Sequence, residues 1–313
     1  MSRGDVAGAA PTVTTGLGLY DATAAAASSV VIRRYSTSFG LASRLLPAHV
    51  REHIEHVYAL VRVADEIVDG PATEAGLDPT LAGRLLDELE QDTERAMTIG
   101  FSVNPVVHAF ARTARTTGFG AELTQPFFRS MRADLTRSEH DDASFVDYVY
   151  GSAEVVGLMC LRAFVYRAGR PTFDEAVLVT GARRLGAAFQ KVNFLRDLRA
   201  DFLELGRSYF PGVDVRSFDE ATKARLVADV QDDLDAAARA LPLLPGRARP
   251  AVTLAHALFQ ELNDRIAATP AERLVTTRVR VPDPVKAALA ARVLVGRAPV
   301  PRVRRGNRPG GTA

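Results

Sequence analysis

The sequence QKVNFLRDLRADF, residues 190–202, has a polar and an apolar side when it is folded as a helix. Because a helix turns once every 3.6 residues, steps of three, four and four residues bring two amides and two carboxylates to one face: Gln190, Asn193, Asp197 and Asp201. The opposite face is apolar and carries Val192, Leu195, Leu198 and Phe202. We therefore predict a helix that packs on its apolar face and turns its amides and carboxylates toward an open space.

Nothing on this helix neutralises the two carboxylates, since no Lys or Arg lies three or four residues from Asp197 or Asp201. Like charges at this spacing repel each other by about 0.2 to 0.5 kcal/mol, and carboxylates near a helix C-terminus also oppose the helix dipole. Gly206 follows shortly and is expected to end the helix. A solvated surface would tolerate such a pair, so this alternative stays open for a single DxxxD sequence.

A second pair of carboxylates four residues apart occurs in DEIVD, residues 65–69, where Gly70 and Pro71 end the predicted helix. The two aspartates continue a stripe with the spacing of a core-facing helix side: Ile54, Tyr58, Val61, Asp65 and Asp69. Four inward carboxylates require cations, and Mg²⁺ is the natural candidate because it binds carboxylate, water and phosphate oxygens. No His or Cys cluster accompanies them, which argues against Zn²⁺.

These two motifs, DEIVD (65–69) and NFLRDLRAD (193–201), resemble the aspartate-rich motifs of the phytoene and squalene synthases, which join two isoprenoid diphosphates head to head. Three further stretches are similar to parts of that family. YSTSFGLASRLLP (35–47) resembles its N-terminal diphosphate segment, YVYGSAEVVG (148–157) its central substrate helix, and GRSYFP (206–211) the turn after its second motif. The match spans most of residues 30–290, and the chain looks most like a bacterial phytoene synthase.

The resemblance implies a magnesium site, with Mn²⁺ as a substitute, formed by four carboxylates and one amide: Asp65, Asp69, Asn193, Asp197 and Asp201. It implies that these four aspartates act in catalysis together with Tyr58 and Arg62. The substrate-binding residues that it implies are Ser36, Ser38, Arg62, Tyr148, Ser152, Gly157, Gln190, Asn193, Arg196, Tyr209 and Arg280. On this interpretation the helix of residues 148–157 lines a tunnel for the isoprenoid chain, and Tyr209 closes the pocket.

Simpler local explanations exist for several of these residues. The serines of YSTSF (35–39) are also typical of a turn, and Arg62 is spaced for a salt bridge with Asp65. The small residues Ala153 and Gly157 would equally allow another helix to approach closely. Arg280 and its basic neighbours fit a solvated patch as well as a diphosphate site.

Three positions depart from the family pattern, and one acid is difficult to place. Glu154 stands where the family usually has Gly, so the tunnel wall is expected to differ there. Ala200 replaces an acid beside the last Asp, and Phe259 lies near a position where relatives often have Tyr. Asp134, in SMRADL, matches a family acid, yet a lone acid on a helix is more often exposed.

Almost every long segment has the period of a helix, and no alternating strand patterns bounded by Asn-Gly or Asp-Gly turns occur. The sequence predicts one all-α domain, and the resemblance implies the isoprenoid-synthase helical fold around a central cavity. We expect a flexible arm at 1–18, an all-helical prenyltransferase domain at 19–297 and a disordered basic tail at 298–313. Capping residues predict helix starts at Asp78, Asn104, Thr172, Ser217 and Asp283.

Composition limits the classes of protein to consider. A chain of 313 residues that is 47% hydrophobic and 24% charged can bury a sizeable core. Its net charge of +2 gives no reason to expect nucleic-acid binding, and its single cysteine, Cys160, excludes an internal disulfide.

The expected location is the cytoplasm, because the sequence has no leader pattern and no uncharged apolar run of 18 residues. The arginines of the tail, together with lipidic substrates, predict peripheral contact with the inner face of the membrane. No obligate protein partner is expected, and prenyl diphosphates are the expected substrates.

The leading hypothesis is a magnesium-dependent prenyltransferase of carotenoid biosynthesis. It would condense two geranylgeranyl diphosphates to phytoene through a cyclopropylcarbinyl diphosphate, prephytoene diphosphate, and this chain length rests on the resemblance alone. Within the family, the alternative is squalene or dehydrosqualene formation from farnesyl diphosphate. Squalene formation needs NADPH, and no GxGxxG sequence follows a predicted strand. Outside the family, a terpene cyclase would use one diphosphate, and a helical binding scaffold would make the carboxylates incidental.

Overall fold

The computed structural model describes residues 16–166, 175–203 and 206–296, without the side chains of Asp201 and Leu203. Within these ranges the chain is built from helices and has no β-strand, which confirms the all-α prediction. The helices are α1 (Leu17–Tyr35), α2 (Ser38–Ser43), α3 (Ala48–Val68), α4 (Pro71–Glu74), α5 (Pro79–Ile99), α6 (Pro105–Thr117), α7 (Ala121–Thr136), α8 (Asp142–Val149), α9 (Val155–Val165), α10 (Glu175–Leu203), α11 (Glu220–Ala238), α12 (Arg249–Ala268), α13 (Ala271–Leu274) and α14 (Asp283–Leu294).

Two of the predicted helix caps are confirmed, two are wrong, and Thr172 lies outside the described residues. Asp283 is the first residue of α14, and the residue before it, Pro282, occupies the cap position. The side chains of Asp78 and Asn104 accept hydrogen bonds from backbone N–H groups in the first turns of α5 and α6. A proline follows each of them at the first helical position, where its missing N–H costs nothing. Ser217 does not cap α11, because the chain first makes a 3₁₀ turn at Val215–Ser217 and Asp219 then supplies the cap.

Helices α8 and α9 are joined by a π turn at Tyr150–Glu154 and form one continuous helical segment, Asp142–Val165. By length and composition this segment could cross a membrane, but half of its apolar stretch is buried inside the molecule. One of the helices against it is α10, which comes so close that a Cβ added at Gly157 or Gly186 would overlap a backbone carbonyl of the facing helix. This degree of burial is that of a core helix.

Two large buried clusters hold the helices together. One joins α3, α5, α6, α7 and α9 around Phe110, Phe127 and Phe128. The other joins α8, α10 and α11 and contains Phe194 and Leu234. The two aspartate motifs lie on α3 and α10, which therefore contribute to different clusters. Helix α9 packs against both α3 and α10.

The first helix begins at Leu17, two residues before the predicted domain boundary at 19. Tyr20 anchors it by donating a hydrogen bond of 2.9 Å to the carbonyl of Ser102. The rest of the predicted arm and the whole basic tail, 298–313, lie outside the described residues. Peripheral membrane contact through that tail therefore stays a prediction.

Candidate active site

A cavity of about 940 Å³ lies among α3, α9, α10 and α12. Its lining changes from polar to apolar along α10, from Gln190, Asn193 and Arg196 near the second aspartate motif to Leu178, Leu185 and Phe189 before it. A helix rises 1.5 Å per residue, so the two ends of this stretch lie about 27 Å apart along its axis. The cavity thus has a polar end and a long apolar interior.

Hydroxyls, amides, cations and two carboxylates from distant parts of the chain make up the polar lining. They are Tyr35, Ser36, Thr37, Ser38, Ser43, Tyr58, Arg62, Asp65, Ser152, Gln190, Asn193, Arg196, Arg278, Arg280, Asp283 and Lys286. The carboxylate of Asp283 pairs with Lys286 at 3.0 Å. Most of the residues that the resemblance assigned to substrate binding therefore border one cavity. Gly157 also lines it, at a point where α9 lies close to the backbone of Ala182 in α10.

At the first aspartate motif, residues 65–69, the two carboxylates have different surroundings. Asp65 faces the cavity, and its closest cation is Arg62, at 3.8 Å. Arg62 itself pairs much more closely with Glu66, four residues later, than with Asp65. Asp69 ends α3 and accepts a hydrogen bond of 2.8 Å from Nη1 of Arg207. Only Asp65 therefore has a carboxylate directed at the cavity without a close positive partner.

This environment raises the pKa of Asp65 to about 8. Burial is the largest cause and the neighbouring charge of Asp69 is the second, and together they outweigh the attraction of Arg62. The side chain is 29% exposed, but that part faces the cavity. A cation placed in the cavity would favour the charged form and lower the pKa again.

At the second aspartate motif, residues 193–201, the carboxylate of Asp197 lies between two guanidinium groups. The Nε atom of Arg196 is 3.0 Å from Oδ1, and the Nε atom of Arg278 is 2.7 Å from the same oxygen. Asn193 turns its side chain toward the cavity, and its buried Oδ1 has no hydrogen-bond partner among the described residues. Asp201 lies in α10, but its side chain is outside the described part of the structure.

The donor atoms at the polar end fit a hard cation such as Mg²⁺. The described residues contain no group of three or more His, Cys, Asp or Glu side chains that could hold a metal by themselves. Mg²⁺ does not need such a group, because it takes one or two carboxylates and completes its shell with water and phosphate oxygens. The Asp65 carboxylate and the unpartnered Oδ1 of Asn193 are oxygen donors of that kind.

Tyr148 was predicted to line the tunnel and Tyr209 to close the pocket, but neither side chain lines the cavity. Tyr148 is buried beside the ring of Tyr209, and its hydroxyl donates a hydrogen bond of 2.8 Å to Asp134. The cause is the π turn that follows Tyr148. Its five-residue hydrogen bonding adds a residue to one helical turn, so Ser152 reaches the cavity while Tyr148, four residues earlier, does not.

The predicted effect of Glu154 on the tunnel wall is also wrong. Its side chain pairs with the Nε atom of Arg183 at 2.6 Å and is not part of the cavity lining. Phe259 does line the cavity, with its ring stacked on Phe189 at a centroid distance of 3.6 Å. Where relatives often have a tyrosine, this wall is therefore aromatic and apolar.

Sequence reasoning missed the environment of Asp134 and the contacts of Arg207. Asp134 was expected to be exposed, but it is 9% exposed, and burial raises its pKa to about 7 in spite of the nearby Arg207. Arg207 is buried beside Asp69. Charge balance was the available clue, since inward carboxylates without a local cation require one from elsewhere in the chain.

The model of the squalene/phytoene synthase family matches residues 32–284. A 15-cis-phytoene synthase of Paracoccus sp. is 32% identical over 192 residues, which are 59% of this chain and 59% of that protein. The 15-cis-phytoene synthase of Synechocystis sp. is 30% identical over 209 residues, 65% of this chain and 60% of that protein. The chain thus matches about three-fifths of the length of these relatives.

Two solved structures have the same fold as this chain. A dehydrosqualene synthase in complex with a ligand superposes with a TM-score of 0.71 at 21% identity, over 89% of this chain and 98% of that one. The squalene synthase HpnC from Alicyclobacillus acidocaldarius has a TM-score of 0.67 at 22% identity, over 83% of this chain and 97% of that one.

Proposed function

The chain belongs to the squalene/phytoene synthase family of prenyltransferases, and we propose that it condenses two geranylgeranyl diphosphates head to head to phytoene, through prephytoene diphosphate. The observation that carries this proposal is one cavity in which carboxylate, amide and cationic side chains meet at one end of a long apolar interior. Such a cavity suits a molecule with a charged head and a hydrocarbon chain. Its volume of about 940 Å³ is near the upper limit for small-molecule sites, which favours large substrates.

The cationic side chains of the polar end would bind the diphosphate groups. Arg196, Arg278 and Arg280 can each present a planar fork of N–H donors to phosphate oxygens. Lys286 also lines this end, and its Nζ lies 3.4 Å from the hydroxyl of Thr37. The segment between α1 and α2 and the start of α14 would therefore close on the same diphosphate group.

Magnesium would be held by Asp65, Asp69, Asn193, Asp197 and Asp201, and when bound it supplies positive charge that stabilises the leaving diphosphate. The protein contributes a preformed polar face on α10 and an uncompensated carboxylate on α3. Because Asp197 already has two guanidinium partners, the same two arginines can turn to the diphosphate when a cation replaces them at the carboxylate.

The apolar interior would protect the reactive intermediate. An allylic cation forms when the carbon–oxygen bond of a diphosphate ester breaks, and water would capture it unless water is excluded. Two stacked aromatic pairs border the cavity, Phe39 with Tyr58 and Phe189 with Phe259. Their faces can stabilise a positive charge until the second chain reacts with it.

Product analysis tests this proposal and separates it from the alternatives. The purified protein would be incubated with Mg²⁺ and either geranylgeranyl or farnesyl diphosphate, with and without NADPH, and the hydrocarbons would be identified by mass spectrometry. We expect phytoene from geranylgeranyl diphosphate, independent of NADPH. EDTA should stop its formation, and added Mg²⁺ should restore it.

Farnesyl diphosphate is tested separately, as the substrate of the C30 alternative, because a 4,4'-diapophytoene synthase of Staphylococcus haemolyticus is 25% identical to the chain over 204 residues. Conversion of farnesyl diphosphate alone would replace the C20 assignment by that alternative. A cyclic product from a single diphosphate would indicate a terpene cyclase. If no diphosphate is consumed under any condition, the catalytic proposal fails and a binding scaffold remains.

A further inference from the structure

Arg207 is a buried arginine that contacts the end of the helix carrying the first aspartate motif. It is 8% exposed and comes directly after Gly206, in the turn beyond α10. Its Nη1 donates to the carboxylate of Asp69 at 2.8 Å, and its Nη2 donates to the backbone carbonyl of Val68 at 2.8 Å. One guanidinium group thus binds both the last carbonyl of α3 and the second aspartate of its motif.

A second set of contacts fixes the position of Arg207 itself. Nη1 also donates to the hydroxyl of Tyr209 at 3.2 Å and lies 3.9 Å from the carboxylate of Asp134. Asp134, on α7, accepts hydrogen bonds from Tyr148 at 2.8 Å and from Tyr209 at 3.3 Å. All four of these side chains are at most 9% exposed. The guanidinium is therefore surrounded by acceptors that restrict its orientation.

This arrangement connects the two aspartate motifs through the protein. Asp69 ends α3, whereas Arg207 follows the helix that carries Asp197 and Asp201. Without Arg207, the carboxylates of Asp65, Asp69 and Asp134 would be left close together, although Asp69 and Asp134 disfavour the charge of Asp65 and Asp69 disfavours that of Asp134. The carboxylate of Asp69 would then lose the hydrogen bond that fixes its direction.

We propose that Arg207, oriented by Asp134, is a positioning residue that sets the direction of the Asp69 carboxylate and joins the end of the first aspartate motif to the turn after the second. The proposal rests on the proposed function in so far as Asp69 takes part in the reaction. Arg207 acts through Asp69 and Val68, because its described contacts are with protein groups and it does not line the cavity.

The test compares Arg207→Gln with a matched control, Lys191→Gln. Lys191 is also a buried cation, 9% exposed, and pairs with two carboxylates, Asp229 at 2.6 Å and Asp233 at 2.8 Å, away from the cavity. Both variants lose a buried ion pair and should melt at a lower temperature. We expect kcat per folded molecule to fall about 100-fold for Arg207→Gln, with KM within about threefold of wild type, and kcat to be unchanged for Lys191→Gln.

A second measurement does not depend on activity. Amide hydrogen exchange in the metal-free protein should become faster over residues 66–70 in Arg207→Gln and stay unchanged there in Lys191→Gln, since only the first variant releases the end of α3. Arg207→Lys keeps the positive charge but loses the planar guanidinium that donates to Asp69 and Val68 at once. Its results should therefore lie between those of Arg207→Gln and wild type in both measurements. If Arg207→Gln does not fold, Arg207→Lys and Asp134→Asn carry the same comparison, each with a loss of about tenfold.

Wild-type kcat in Arg207→Gln, or an equal loss of kcat in Lys191→Gln, would overturn the positioning role. Unchanged amide hydrogen exchange over residues 66–70 in Arg207→Gln would also overturn it. These outcomes are distinct from failure of the proposed function, in which the wild-type protein itself forms no product while the exchange difference between the two variants remains.

Discussion

At the first aspartate motif, Asp65 faces the cavity with its nearest guanidinium nitrogen 3.8 Å away, whereas at the second, the nearest nitrogens of two arginines lie 2.5 and 2.7 Å from the Asp197 carboxylate. The first motif ends its helix at Asp69, and the second lies inside a helix that continues to Leu203. Both have two aspartates four residues apart. The same spacing therefore produces one carboxylate that needs a cation and one that already has two.

The difference arises from parts of the chain that are distant in sequence. Arg278 comes from the segment between α13 and α14, 81 residues after Asp197, and Arg207 lies 138 residues after Asp69. Each arginine reaches its carboxylate only because the helices have packed. Two motifs with the same spacing thus differ in the structure. The Asp65 carboxylate has no close cation, whereas Asp197 must exchange its arginine partners before it can bind a metal ion.

Asp65→Asn should have the largest effect on turnover, because it removes the carboxylate that has no close cation of its own. A lost metal contact of several kcal/mol corresponds to a fall in kcat of roughly 10³-fold. Its melting temperature without metal should stay the same or rise, since repulsion from Asp69 disappears. Steady-state kinetics and thermal melting measure both effects, with Asp147→Asn on an exposed part of α8 as the control. Full activity in Asp65→Asn would remove the metal hypothesis.

Asp197→Asn should also lose turnover, but its stability should change in the opposite direction. The substitution leaves Arg196 and Arg278 without their carboxylate, and the two guanidinium groups then repel each other. Since Arg278 is 52% exposed, the loss should be about 1 kcal/mol, equivalent to a melting temperature lower by about 2 to 4 °C. Melting of the two Asn variants side by side would show opposite shifts. A rise in both would mean that the arginine pair at Asp197 contributes nothing.

A smaller effect is expected in the pH dependence of stability without metal. Because the pKa of Asp65 is about 8 in the folded protein and 3.8 for an unperturbed aspartate, the folded state binds an extra proton between about pH 4 and 8. Stability from this group is therefore complete below pH 4 and is lost as the pH rises through 8. In Asp65→Asn, the melting temperature should fall less steeply between pH 5 and 8 than in wild type. Part of the fall should persist, because Asp134 also has a raised pKa, about 7. An unchanged slope in Asp65→Asn would contradict the assignment.

Much of the fold was predictable because it follows from local patterns. Helical periodicity predicted the all-α chain, and the side-chain caps at Asp78 and Asn104 gave the starts of α5 and α6. Half of the predicted polar face of α10 lies on the cavity, with Gln190 and Asn193, whereas Asp197 does not line it and the side chain of Asp201 is outside the described part of the structure. Each of these features depends on residues within one or two helical turns of each other.

The remaining features depend on contacts that spacing does not encode. The π turn at Tyr150–Glu154 shifts the face that follows it, so a 3.6-residue period placed Tyr148 on the wrong side. Asp134 is buried because two tyrosine hydroxyls and an arginine from other elements surround it. A sequence pattern identifies which faces are polar, but the partners of each charge depend on how the helices pack.

If the proposed function holds, both aspartate motifs act on one bound diphosphate and its metal. Anomalous diffraction from crystals soaked with Mn²⁺ and an unreactive thio analogue of geranylgeranyl diphosphate tests it most directly. We expect metal within about 2.0 to 2.2 Å of oxygens from both Asp65 and Asp197, with Arg278 turned from Asp197 toward the diphosphate. Metal bound at only one motif, or at neither while the analogue occupies the cavity, would contradict it.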